Sequence, residues 1–191
     1  MSEKAKTKKL VMCAILSAIV IVLQFLGSFI KFGPFSITLV LVPIVVGAAI
    51  CGKFSGAWLG FVFGVSVLIS GDASAFMAVS PLGAILTVLV KGTLCGYAAE
   101  LVYRSLKTNR YVAIFASAIV CPVVNTGIFL IGCKLFFMEL ITQWAEAFGL
   151  GSNVGLYMIV VLVGGNFIFE IIANIILSPI IVRITNLLKL D

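Results

Sequence analysis

Residues 155–188 read GLYMIVVLVGGNFIFEIIANIILSPIIVRITNLL, with Glu170 the only charged side chain before Arg183. A helix in water carries polar residues along its exposed face, whereas this run is apolar on every side. A bilayer core about 30 Å thick is crossed by roughly 20 such residues, so the run exceeds one membrane thickness. Ser178-Pro179 falls where the helix leaves the hydrocarbon or kinks. A division at Gly164-Gly165 would leave a first piece of about ten residues, too short to cross, so the run is read as one long helix. Asn166, Glu170 and Asn174 are spaced four apart and form a ladder along one face. A buried charge costs on the order of 3 kcal/mol even on the lenient insertion scale, so Glu170 needs a partner or a ligand.

The rest of the chain follows the same pattern. It is 62% hydrophobic and 10% charged, where a soluble domain is about half apolar and about a quarter charged. Apolar runs predict spans over residues 10–30, 36–50, 54–70, 80–103, 111–137 and 155–188. Together they make one all-α integral membrane domain of six transmembrane helices over residues 1–191, with no separate soluble domain. The basic start, Met1 to Lys9, leads into an uninterrupted run without a small-residue cleavage pattern and is read as part of a retained first helix. Phe32-Gly33-Pro34-Phe35 is a turn, Pro43 bends the second span, and Ser80-Pro81 opens the fourth. Gly56, Gly60 and Gly64, four apart, form a face that another helix can approach closely. The fifth span is long enough to tilt or to break near Cys121-Pro122, and Glu139 to Asn153 is the longest polar interruption.

Charge sets the orientation. Numbering the connections places Lys4, Lys6, Lys8, Lys9, Lys53, Arg104, Lys107, Arg110, Arg183 and Lys189 on one side and only Lys31 and Lys134 on the other. The positive-inside rule makes the first side cytoplasmic, with both termini there. The net charge of +6 therefore marks topology and does not call for a nucleic-acid partner.

The sequence carries no GxxxxGK[ST] loop, no HExxH and no histidine, so ATP hydrolysis and histidine-based catalysis are excluded from this chain. The five cysteines are odd in number, lie mostly in apolar runs and form no CxxC pair, which argues against a disulfide framework or metal site. No enzyme and no cofactor is expected. The polar residues deep in the spans, Lys91, Asn125, Asn166, Glu170 and Asn174, carry the functional signal. Each has two readings, as interhelical glue or as a ligand contact. Lys91 lines a pocket, pairs with Glu170, or snorkels to the cytoplasmic surface. Asn125 follows Pro122, where a loosened helix offers backbone carbonyls beside the amide. Asn174 lies too deep for an external ligand. The outer connections near residues 31–35, 70–80 and 134–153 all fall on one side and suit a pocket mouth, with aromatics such as Phe35, Phe76 and Trp144 as cover or as an interfacial belt. If Lys31 or Lys134 faces that pocket, it favours an anion. Ala14 and Ala18, four apart near the cytoplasmic end of the first span, permit close approach by a partner helix.

Several motifs together resemble the S components of energy-coupling-factor (ECF) transporters: Ala14 and Ala18 after a basic start, residues 33–38 (GPFSIT) leading into Val42-Pro43-Ile44, and residues 52–57 (GKFSGA). Residues 122–127 (PVVNTG) and 166–170 (NFIFE) complete the likeness, which covers nearly the whole chain. The resemblance implies a substrate-binding subunit in a bacterial cell membrane that takes up a water-soluble vitamin. It would capture the vitamin at the extracellular face and dock through Ala14 and Ala18 on a transmembrane coupling subunit powered by two cytoplasmic ATPases. The substrate-binding set is then Asn125, Asn166, Glu170, Lys91, Lys134 and Phe35. Two tryptophans are too few for the thiamine branch, which leaves pantothenate first, then riboflavin or folate. The alternatives are a stand-alone secondary transporter or small channel with Lys91 and Glu170 on its ion path, or an intramembrane assembly factor.

Overall fold

A computed structural model describes residues 3–29, 31–32, 35–36, 39–106, 109–151 and 153–188, the side chains of 31, 32, 35, 36, 184, 185, 187 and 188 excepted. The chain begins with α1 (Glu3–Ser28), followed by an antiparallel pair of two-residue strands, β1 (Lys31–Phe32) and β2 (Phe35–Ser36). Then come α2 (Leu41–Ile50), α3 (Ser55–Ser70), α4 (Ser74–Val79), α5 (Pro81–Ser105), α6 (Arg110–Phe136) and α7 (Met138–Ala147). The last helix has three parts, α8 (Val154–Leu156), a π-helical stretch over Tyr157–Gly164, and α9 (Gly165–Leu188).

Helices form in each of the six predicted segments, but they are unequal. Four, over Glu3–Ser28, Pro81–Ser105, Arg110–Phe136 and Val154–Arg183, are long and apolar enough to cross a membrane. α2 has 10 residues and α3 has 16, reaching about 15 and 24 Å at 1.5 Å per residue. α2 stays short because it is a core element, with eight of its residues buried, Leu41 and Ile44 fully so. The expected start at Ser36 is corrected to Leu41: Ser36 belongs to the strand pair, whose Gly33-Pro34 turn lies outside the described residues.

One further expectation changes, and the fifth span takes the unbroken of its two expected forms. The segment read as a polar interruption contains α7, which buries Ile141 and Ala145 one turn apart while Glu139, Gln143 and Glu146 stay exposed. That is ordinary 3.6-residue amphipathicity. α6 runs unbroken through Pro122, and Ser117 Oγ ties it to α5 by donating to the Ala99 carbonyl at 2.9 Å. Ser80 caps α5 by accepting from the Gly83 N–H at 3.3 Å, with Pro81 in the first turn.

The core is built on the α3–α5 crossing. Gly56, Gly60 and Gly64 meet Gly96, Gly92 and Val88 in antiparallel register, backbone against backbone. A Cβ on Gly60 would overlap the Gly92 carbonyl oxygen, and one on Gly96 would overlap that of Gly56. The next position on the same face of α5, Glu100, is 2% exposed and closes the seam. Its carboxylate accepts from the Phe54 N–H at 2.9 Å and the Gly56 N–H at 3.0 Å, and pairs with Arg104 at 2.9 Å. Phe54 adopts a left-handed conformation, φ 67°, at the start of α3, and this carboxylate helps hold it there.

Gly60→Ala should lower stability by about 1–3 kcal/mol, because two helices must separate to admit one methyl. Gly127→Ala, where no atom lies within 4 Å of the added carbon, should leave stability unchanged or slightly raised. Thermal unfolding of both variants in detergent checks this.

Candidate functional site

The two ends of the bundle differ in chemistry. At the end away from the N-terminus, a cavity opens among the later half of α1, the end of α3, the loop after it, and the facing parts of α4, α5, α6 and the last helix. About 80 Å³ of it can be reached by the centre of a water molecule. One water centre needs some 10–15 Å³, so a group of waters or part of a small organic molecule fits without rearrangement.

The polar lining comes from separate segments: Gln24 of α1, Asp72 of the α3–α4 loop, Lys91 of α5, Asn125 and Thr126 of α6, and Asn166 and Glu170 of α9. Glu170 is fully buried, and Gln24 and Asn125 are each 5% exposed. Amide donors hold both acids. Asn166 Nδ2 donates to Glu170 Oε1 at 2.8 Å, and Gln24 Nε2 donates to Asp72 Oδ2 and, at 3.3 Å, to Ser70 Oγ. Below the cavity the ladder continues, with Asn174 Nδ2 donating to the Glu170 carbonyl at 2.8 Å. Asn174 is buried but does not line the cavity, as its depth predicts.

The amide oxygens of Asn125 and Asn166 accept no hydrogen bond within the described residues. A buried acceptor without a donor costs about 1–3 kcal/mol, which a ligand N–H or O–H relieves. Lys91 turns into the cavity rather than snorkelling away, and its Nζ stands 5.6 Å from the Phe63 ring centroid and 5.1 Å from that of Phe129. Ring faces attract the cation but take no hydrogen bond from it, so its N–H donors can address a ligand acceptor. The arrangement suits a small molecule that presents donors to the amides and an acceptor to Lys91.

One end of the cavity is roofed by aromatic side chains. Phe76 of α4 packs edge-on against Phe129, Phe137 and Trp144 with centroids 5.6, 4.9 and 5.7 Å away. Of the connections expected at the pocket mouth, 70–80 lines the cavity through Asp72, Ala73 and Phe76, whereas 134–153 contributes no lining residue and packs behind it, Phe137 and Trp144 against Phe76.

Of the residues singled out in the sequence, Lys91, Asn125, Asn166 and Glu170 come together here. Lys134 does not, because it is exposed on the last turn of α6 and is absent from the lining. The side chain of Phe35 lies outside the described residues. Ala14 and Ala18 are exposed on α1. Gln24 and Asp72 were missed: the first is a lone amide in the first span, and the second reads as a loop charge. Their signal was an amide inside an apolar run followed by an acid at the same end of the bundle.

Phe76→Ala should cost about 3–5 kcal/mol of stability and loosen the roof. In a Trp58→Phe background Trp144 is the sole tryptophan, and its acrylamide quenching should rise on removing Phe76.

A model of the family described as "ECF transporter, substrate-specific component" matches residues 8–182. Neither the curated proteins nor the solved structures include a match to the chain.

Proposed function

This chain belongs to the substrate-specific components of ECF transporters, and we propose that it captures a water-soluble vitamin in the cavity between Lys91 and Glu170 for uptake into the cell. As a family member it is a multi-pass membrane subunit whose work is binding rather than catalysis, in association with an ECF coupling subunit and its ATPases. The observation that carries the reading is the convergence of Lys91, Asn125, Asn166 and Glu170 on one cavity at the end opposite the basic termini of the helices. With the basic end cytoplasmic, as the positive-inside rule has it, the cavity faces outward and capture is extracellular. The membrane is that of a bacterial cell, and energy comes from ATP hydrolysed by the partners.

Pantothenate is the first substrate, ahead of riboflavin and folate. Its carboxylate suits Lys91, and its hydroxyl and amide donors suit the open oxygens of Asn125 and Asn166. Asp72 and Glu170 oppose an anion; Gln24 and Asn166 orient these carboxylates without cancelling their charge, so the ligand's carboxylate is assigned to Lys91. Of the two outer cations read as favouring an anion, Lys134 stands exposed outside the lining and the side chain of Lys31 lies outside the described residues, so that role passes to Lys91.

Native mass spectrometry of the purified chain against a vitamin panel should give a one-to-one adduct, with pantothenate retained best. No adduct across the panel refutes the reading. Lys91→Met should weaken binding tenfold or more, since a hydrogen bond to a charged group contributes about 1.5–3 kcal/mol. Asn125→Ala and Asn166→Ala should each weaken it severalfold, and unchanged affinity in all three would remove the site.

Coupling runs through the exposed Ala14–Ala18 face of α1. Ala14→Leu and Ala18→Leu should abolish uptake by the assembled transporter in proteoliposomes while the isolated subunit binds its vitamin as before. Accumulation by the chain alone, without ATPases, would point to a secondary transporter instead.

A further inference from the structure

The basic end of the bundle holds a second concavity, a groove of about 890 Å³ measured to water centres. Five cations line it: Lys6 and Lys9 of α1, Lys53 before α3, Arg104 at the end of α5 and Arg110 at the start of α6. Among the described residues, no Asp or Glu belongs to the lining. Of the described acids at this end, Glu3 stands exposed one turn before Lys6 on α1 and does not line the groove, and Glu100 is buried and already engaged by Arg104 and the Phe54 and Gly56 N–H groups. Arg110 donates to Asn186 Oδ1 at 2.7 Å, a neutral partner, and forms no ion pair among the described residues. A concave surface of one sign concentrates counter-ions, so the groove attracts anions.

The walls also carry exposed apolar side chains. Leu10 is 71% exposed, Phe54 56% and Trp58 53%. Trp58 stands one turn into α3, on the hydrocarbon side of Lys53, and its indole Nε1 donates to Ser17 Oγ of α1 at 3.2 Å. An indole fixed at this level, polar edge satisfied and ring exposed, is a usual anchor at a membrane interface. A free phosphate would use the cationic rim alone, and an acidic protein segment would not need the apolar wall between α1 and α3. A phospholipid uses both, with the headgroup phosphate among the cations and acyl chains along Leu10 and Trp58. Basic pockets between helices at the cytoplasmic boundary take anionic headgroups in this way.

We propose that this groove is a specific site for one anionic phospholipid, distinct from the vitamin cavity and adjacent to the Ala14–Ala18 face. The test is native mass spectrometry of the delipidated full chain, titrated with dioleoyl phosphatidylglycerol or with dioleoyl phosphatidylcholine, which has the same acyl chains and no net charge. The phosphatidylglycerol adduct should form one-to-one at concentrations where phosphatidylcholine gives none. Lys6→Gln, Lys9→Gln and Lys53→Gln should weaken it about fivefold each. A Lys4→Gln, Lys8→Gln variant, which neutralises two cations of the same helix outside the lining, should bind as the parent does. Equal binding of the two lipids, or equal losses in lining and non-lining variants, would overturn the proposal. Displacement by equimolar inorganic phosphate would overturn it too, since it would mark a site for a free anion. Circular dichroism confirms that each variant is folded, and Trp58→Ala, which keeps every cation, gives an independent arm: unaltered lipid affinity there also refutes the site.

Discussion

The seam between α3 and α5 is the contact on which the rest of the molecule depends. In a bilayer, lipid tails are as apolar as leucine, so helices associate through close packing and hydrogen bonds rather than by expelling water. Val88, Gly92, Gly96 and Glu100 lie four apart on one face of α5, and they take Gly64, Gly60 and Gly56 of α3 almost without intervening side chains. Glu100 closes one end by binding the first N–H groups of α3. The other end, fixed by the same register, presents Phe63 and Val67 beside Val88 and Lys91 as a wall of the cavity. Because Lys91 precedes Gly92, the closeness of the glycines also settles where the ammonium sits.

That seam was half legible in the sequence. The Gly56-Gly60-Gly64 spacing announced a packing face, but the matching series on α5 has a valine, two glycines and a glutamate, and small-residue patterns are sought among small residues. Glu100 is hidden for the same reason. It lies near the end of a span, where a charge reads as solvated, yet its carboxylate answers N–H groups that every helix start leaves open. Nothing in a linear pattern says that one helix caps another.

The candidate site was legible where polarity contrasts with its surroundings. Lys91, Asn125, Asn166 and Glu170 stand out because each interrupts a long apolar run, and the four meet in one cavity. Gln24 does the same more quietly, and Asp72 gains meaning only once the loop after α3 is folded inward. α7 escaped notice because hydropathy averages over its two faces, although Ile141 and Ala145 repeat with helical period. Lys134 shows the converse: it lies near the cavity's end of the bundle, on the last turn of α6, yet is exposed and outside the lining.

The π-helical stretch over Tyr157–Gly164 has a consequence for how such proteins diversify. Its i→i+5 bonding accommodates an extra residue per turn, and such segments gather at functional sites. Deleting one residue there restores α geometry while the flanking helix keeps nearly its old bearing, because the wide turns already absorb the extra residue. Only side chains inside the stretch, Leu162 and Val163 of the cavity wall among them, would shift, while the polar ladder and the glycine seam stay put. One wall of the cavity can therefore be re-cut by a single-codon gain or loss without disturbing the frame that holds it.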